Sequence, residues 1–248
     1  MTGTITAFLA QRRFRPTLWP TLGLLALLAA TLSLGNWQRH RAEEKALLRA
    51  QFDAAIAAPP ARVSAASTDA VALRFRPVRA TGEFAAAAQV LIDNKVHAGH
   101  PGYDVVTPLR LDGGGYVLVD RGWVAAGARR TDLPAVPLPN GTVTIEGRAN
   151  LPPARYLELQ RDAATGSLRQ NLDIARIAEY TGLPLLPFVI EQTSSSADGL
   201  VRDWPAPDFG IEQHRSYMLQ WYAFALLGCV LWLTLNWRPR EADDEIDR

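Results

Sequence analysis

Two uncharged apolar runs, one near each end of the 248-residue chain, restrict its fold more than any other feature. "TLWPTLGLLALLAATLSLG" covers Thr17 to Gly35, and "YMLQWYAFALLGCVLWLTLNW" covers Tyr217 to Trp237. At about 1.5 Å per helical residue, each spans the ~30 Å hydrocarbon core of a bilayer. Trp19 and Trp37 flank the first run, and Trp221 and Trp237 bracket the second, where interfacial aromatics settle. Two transmembrane helices are expected, over residues 17–35 and 214–237.

Arg12, Arg13 and Arg15 before the first run would also suit a signal peptide. The run exceeds the ~7–15 residues of a signal's apolar core, and Leu28-Ala29-Ala30 is a weak cleavage site, so an uncleaved anchor is expected. Arg238 and Arg240 closely follow the second run, whereas Arg215 and the more distant Arg202 precede it. The excess of positive charge on the cytoplasmic side then places both termini in the cytoplasm. The expected organisation is a cytoplasmic tail (1–16), the first helix (17–35), an exported domain (36–213), the second helix (214–237) and a cytoplasmic acidic tail (238–248) ending in "EADDEIDR".

The formal net charge is +1, which gives no field that would attract nucleic acid. The single cysteine, Cys229, falls in the second run, so the exported part has no disulfide, thiolate metal site or C-x-x-C-H haem attachment. Its core must rest on hydrophobic packing, for which the segment is long enough.

"NWQRHRAEEKALLRAQFDAAIAA" continues helically from the first run, with Trp37, Arg41, Lys45 and Leu48 on one face. "PPARVSAASTDA" reads as a loop. Short β-type runs follow: "LRFRPVRATGEF", "QVLIDN", "GYDVVTPLRL", "GGGYVLVDRGWV", "TVTIEGRANL" and "LPFVIEQTS". The proline between Phe75 and Val78 suggests an edge strand or bulge, and Gly82 suggests a bulge or positive φ. "NLDIARIAEYTG" reads as a helix with Asp173 as N-cap and Gly182 as C-cap. The expected fold is a membrane protein whose two transmembrane α-helices flank a β-rich α+β domain, a small antiparallel barrel or sandwich.

Catalytic signatures are lacking in the exported part. His97, His100 and Asp104 in "HAGHPGYD" lack the helical spacing of a zincin and read as a solvated loop. Asp120 has the chemistry of a general base but no nucleophile in view, and Gly113-Gly114-Gly115 lacks the lysine of a phosphate loop. A binding or scaffolding role is favoured over an enzymatic one. His214 stands apart. On a helix it shares a narrow stripe with Tyr217, Trp221 and Gly228, because seven residues advance the face by only about 20°. An interfacial imidazole above aromatic rings, with Arg215 beside it, suits either a haem site or a plain helix anchor.

Several stretches together are similar to one family. "LGNWQRHRAEEK" resembles its G-x-W-Q-x-x-R-x-x-x-K signature, and "RPVRATGEF", "PGYDVVTPL" and "LVDRGWV" resemble its exported-domain motifs. "QHRSYMLQWYAFAL" resembles its second-helix motif, in which H-x-x-Y is followed four residues on by an aromatic. The chain resembles a bacterial member of the surfeit-locus (Surf/Shy) family, the assembly factors of cytochrome c oxidase.

That resemblance implies a non-enzymatic inner-membrane chaperone of respiratory-chain biogenesis, with a periplasmic main domain. It would bind haem a and assist its insertion into cytochrome c oxidase subunit I, with haem a synthase and membrane lipid as further partners. The family's ligand role falls on His214 as haem iron ligand, with Trp221, Tyr217 and Arg215 completing the cofactor-binding set. Gln213 departs from the asparagine often found before the histidine, Glu44 stands where an aromatic is common, and His40 receives no role. The residues themselves are equally compatible with haem o. The rival expectation is a structural factor that stabilises the oxidase core subunit and never binds haem.

Overall fold

The computed structural model describes residues 12–129, 132–152 and 166–239; the rest of both expected tails, including "EADDEIDR", lies outside them. The chain divides into two units, residues 1–50 with 208–248, and residues 51–207.

In the first unit, helix α1 (Leu18–Ile56) begins in the first apolar run and continues for 39 residues, its last turn belonging to the second unit. Pro20 lies in its first turn, where no intrahelical donor is lost, and Pro59-Pro60 follow its end. The expected face of Trp37, Arg41 and Leu48 is exposed, with Lys45 half-buried, while Thr31, Gly35, Gln38 and Ala42 form the buried stripe. A second long helix, Ile211–Asn236, covers the other run. Both are long and apolar enough to cross a membrane. The flanking strands β1 (Arg12–Phe14) and Trp237–Pro239 pair antiparallel, joining the two chain ends.

The second unit is a mixed sheet. Its strands are β2 (Ala61–Arg62), β3 (Pro77–Phe84), β4 (Val90–His97), β5 (His100–Leu111), β6 (Tyr116–Ala125), β7 (Thr142–Asn150), β8 (Leu168–Arg169) and β9 (Leu185–Gln192). The strand at Trp237–Pro239 is thus β10. The order is β2-β3-β7-β9-β6-β5-β4-β8, and β3 also pairs with β5, so hydrogen bonding returns on itself through β3, β7, β9, β6 and β5. The sheet is not purely antiparallel as expected: β6 pairs parallel with β9, β4 with β8 and β2 with β3. Parallel neighbours need long crossovers, and β7 with the helix at Ile174–Thr181 provides one between β6 and β9.

Several local expectations change. Pro77 begins β3, which is not a simple edge strand: β7 pairs along one side, while β2 at Val78–Arg79 and β5 at Gly82–Phe84 cover parts of the other. Gly82 does not have positive φ. It is needed because a Cβ there would stand 2.0 Å from the Arg110 carbonyl oxygen, where β3 meets β5. "HAGHPGYD" is a hairpin, not a solvated loop: His97 pairs with His100 around Ala98 and Gly99, both at positive φ. Asp104 is buried and paired with Lys95 at 2.6 Å. The stretch expected as a loop contains β2, and α2 (Ala70–Leu73) follows, capped by Asp69. Helix α3 (Ile174–Thr181) has the expected ends: Asp173 accepts from the N–H groups of Ala175 and Arg176, and Gly182 is left-handed. The helix Ile211–Asn236 is therefore α4.

The largest apolar cluster, including Val78, Leu109, Val119, Ile145 and Phe188, draws on all five strands of the closed circuit. A second, on the opposite face of β6, packs Val106, Leu118 and Val189 under Ile177 of α3. The strand β6 is buried on both faces. Its Arg121, only 1% exposed, pairs with Asp198 at 2.9 Å and donates to the carbonyl of Pro137 and to Gln89. Arg202 also reaches Asp198, at 2.5 Å.

Candidate functional site

Helices α1 and α4 face each other through small residues and a ladder of polar contacts. A Cβ at Gly35 would stand 2.5 Å from the Tyr222 ring, and one at Gly228 would stand 2.6 Å from Leu27. Such close approach gives extensive van der Waals contact between the two helices. The Thr17 N–H donates to Asn236 Oδ1 at 3.0 Å, Trp232 Nε1 donates to Thr21 Oγ1 at 3.1 Å, and the Tyr222 hydroxyl donates to Asn36 Oδ1 at 2.9 Å. The pairs descend α4 as they climb α1, so the helices run antiparallel.

The final rung carries the candidate chemistry. His214 lies in the first turn of α4, whose N-cap is Gly210 in the left-handed region; the Gly210 N–H donates to Asp208 Oδ1 at 2.8 Å. The imidazole Nδ1 stands 2.7 Å from the Gln38 carboxamide oxygen. That oxygen can only accept, so Nδ1 is the donor and Nε2 is the nitrogen left for another partner. Gln38 is buried and His214 half-buried, leaving the ring oriented on one edge and open on the other. A neutral imidazole held through Nδ1 with Nε2 free is the state in which histidine binds a transition metal.

The other expected site residues do not all converge on this imidazole. Trp221, two turns further along α4, is half-buried and meets Phe224 edge-on at 5.8 Å between ring centres. Gly228 continues the stripe on the packed face. Tyr217 is 44% exposed, on the flank of the helix. Arg215 points away from the helix pair and binds Glu212 at 2.8 Å. Gln38 received no role from the sequence. The available signal was its place as the one polar, long side chain on the stripe Thr31, Gly35, Gln38 and Ala42. Among the described residues, no group of three or more His, Cys, Asp or Glu has metal-binding geometry. A single imidazole ligand does not need one, and His214 is the side chain that would hold a haem iron.

A family model described as the SURF1 family matches residues 25–226, a span from within the first apolar run to within the second. A SURF1-like protein of Monosiga brevicollis is 24% identical over 233 residues, 86% of each chain. An uncharacterized SURF1-like protein of Mycobacterium bovis is 30% identical over 158 residues, 62% of this chain and 57% of that one. A SURF1-like protein of Rickettsia felis is 24% identical over 226 residues, 86% of this chain and 94% of that one.

Proposed function

This chain belongs to the SURF1 family, and from that membership we propose that it is a bacterial inner-membrane assembly factor that binds haem a and hands it to subunit I of cytochrome c oxidase. The observation that carries the haem reading is the 2.7 Å contact between His214 and Gln38, which orients the ring through Nδ1 and leaves Nε2 for a ligand. Haem a is cargo, and the protein's part is to hold and orient it. His214 offers Nε2 to the iron, Trp221 offers an aromatic surface along the same helix, and Tyr217 extends that surface on the flank. Arg215 serves a propionate by exchanging its Glu212 partner, as a charge-assisted donor.

The pairing of β1 with β10 supports a common side for the chain ends, and Arg238 just beyond α4 favours the cytoplasm, whereas α1 alone is balanced by Arg39, Arg41 and Lys45 beyond its apolar run. The β-rich unit is then periplasmic, with its closed strand circuit as a small barrel. Alkaline phosphatase fused at Ala65 is expected to be active, and at Asp244 inactive; activity at Asp244 overturns this topology.

A purely structural assembly factor remains the rival, because the same contact also ties two helices together. Co-expression with haem a biosynthesis, followed by pyridine-haemochrome assay of the purified protein, separates the two. Haem a bound in a fixed ratio supports the chaperone, and haem-free protein supports the structural factor.

A further inference from the structure

The β-rich unit contains a cavity of about 300 Å³, unrelated to His214, whose polar lining includes Asp104, Asp120, Glu191 and Lys95. The three carboxyls stand on adjacent strands β5, β6 and β9, with Asp120 paired directly beside Glu191 in the sheet. Two of them have cationic partners. Asp104 binds Lys95 at 2.6 Å, and Glu191 binds Arg148 at 2.6 Å while accepting from Asn150 at 2.6 Å. Asp120 has none. It is 4% exposed, and its one hydrogen bond comes from the Gly122 N–H at 3.3 Å to Oδ1, leaving Oδ2 unbonded.

A buried carboxyl without a counter-ion, on the wall of an open cavity, is costly to the fold and points to what the cavity accepts. His97, Asn150 and Asp203 add polar atoms, and much of the remaining described wall is carbon. Trp123 and Trp204 line it with their indole N–H groups already given to the carbonyls of Lys95 and Gln192, so their rings offer only π surface. Leu172, Val189 and Val201 add apolar surface. Rings, apolar walls and one unpaired acid together suit a cation with a short aliphatic stem. We propose that this cavity binds an organic cation, an ammonium or guanidinium group on a short apolar stem, with the Asp120 carboxylate as its counter-ion.

Burial, then the charges of Asp104 and Glu191, hold the Asp120 carboxyl well above the ordinary range, with Lys95 and the Gly122 N–H acting against them. The other charged or titratable groups around the cavity are His97, Asp203 and, behind Glu191, Arg148. These surroundings favour the neutral acid over the carboxylate while no cation is present. Cation entry ionises it: its O–H bond breaks, the carboxylate pairs with the ligand, and the proton leaves to solvent. Binding then weakens as the pH falls.

Calorimetry on the full chain in detergent micelles tests this, with n-butylammonium and n-butylguanidinium as probes and n-butanol and butyrate as controls. Runs in two buffers of different ionisation enthalpy count the protons released. Both cations are expected to bind at one site, at least about tenfold more tightly than the controls, releasing up to one proton each. Affinity should rise by up to about tenfold per pH unit while the carboxyl is protonated. Asp120→Asn should lower cation affinity at least about tenfold and abolish proton release. The wild-type proton count decides the matter even where that variant fails to fold. Acetyl-lysine methylamide distinguishes two sources of the same chemistry: equal binding indicates a partner's basic side chain, and binding of free amines alone indicates a small molecule. Butanol binding as tightly as butylammonium, no proton release, or no saturable binding up to ~10 mM overturns the proposal.

Discussion

The Nδ1 of His214 stands 2.7 Å from the carboxamide oxygen of Gln38, although 176 positions of chain separate them. One residue is half-buried at the start of α4 and the other is buried on α1, so packing as well as the hydrogen bond fixes the ring. Gln38→Leu removes the acceptor and frees the ring to turn or to move its proton to Nε2. Haem bound per protein is expected to fall about 10- to 100-fold, the usual cost of losing a partner that orients a metal ligand. Gln38→Glu keeps an acceptor and should retain haem. Pyridine-haemochrome assay of both purified variants checks this; equal loading of Gln38→Leu and wild type would make the contact merely a helix tie.

Gly82→Glu should prevent the central unit from folding. Its Cβ would stand 2.0 Å from the backbone oxygen of Arg110, and neither β3 nor β5 can retreat without breaking paired neighbours. The expected cost is about 3 kcal/mol or more, as for severe overpacking. Even Gly82→Ala adds the offending atom and should share the defect. Steady-state abundance and thermal unfolding report it, and wild-type values for Gly82→Ala would show that the strands can separate.

Gly82 also shows where a sequence stops being informative. Its importance is visible in "RATGEF", but the reason lies in Arg110, brought close by the β3–β5 pairing. The strand runs are legible because Gly and Pro punctuate short β-branched segments. Partner choice is not, since β9 lies parallel to β6 through contacts far apart in the chain. Asp120 and Arg121 are adjacent and both buried, so no alternation marks β6 as covered on both faces. At the candidate site, charge patterning and apolar length display both helices, and the stripe through His214 and Trp221 follows from helical period. Gln38 escapes because its place on the buried stripe of α1 does not say which residue of α4 it meets.

Asp198 should make stability sensitive to acid. Burial raises its pKa, but the hydrogen bond from Arg202, the Leu200 N–H and the charges of Arg202 and Arg121 outweigh burial and leave it lowered. A carboxyl lowered in the folded state contributes fully above its unfolded value of about 3.9, and that contribution is lost as the pH falls through the folded value. Asp198→Ala leaves Arg121 and Arg202 buried without their acid, at a cost of about 3–5 kcal/mol near neutrality. The gap between wild type and variant should narrow in acid. Thermal unfolding of both proteins from about pH 7 down to about pH 3 measures it; a gap independent of pH would remove Asp198 from the acid limb.

His214→Ala and Arg215→Ala should give different spectra although the residues are adjacent. Losing the imidazole takes away the one oriented ligand on α4, so the haem Soret band should disappear. Membrane insertion should survive, because the apolar run that drives it begins after this position and the other polar rungs between the helices remain. Arg215 has Glu212 as its partner and makes no hydrogen bond to Gln38 or to the His214 ring, so its loss should leave the ring's hydrogen bond in place. Arg215→Ala should weaken haem binding through the propionate while leaving the band positions unchanged. Absorbance spectra of both variants, normalised to protein, check the pair. Full haem with an unaltered spectrum in His214→Ala would reduce the histidine to a helix anchor, and shifted bands in Arg215→Ala would place the arginine at the iron instead of at the edge of the ring.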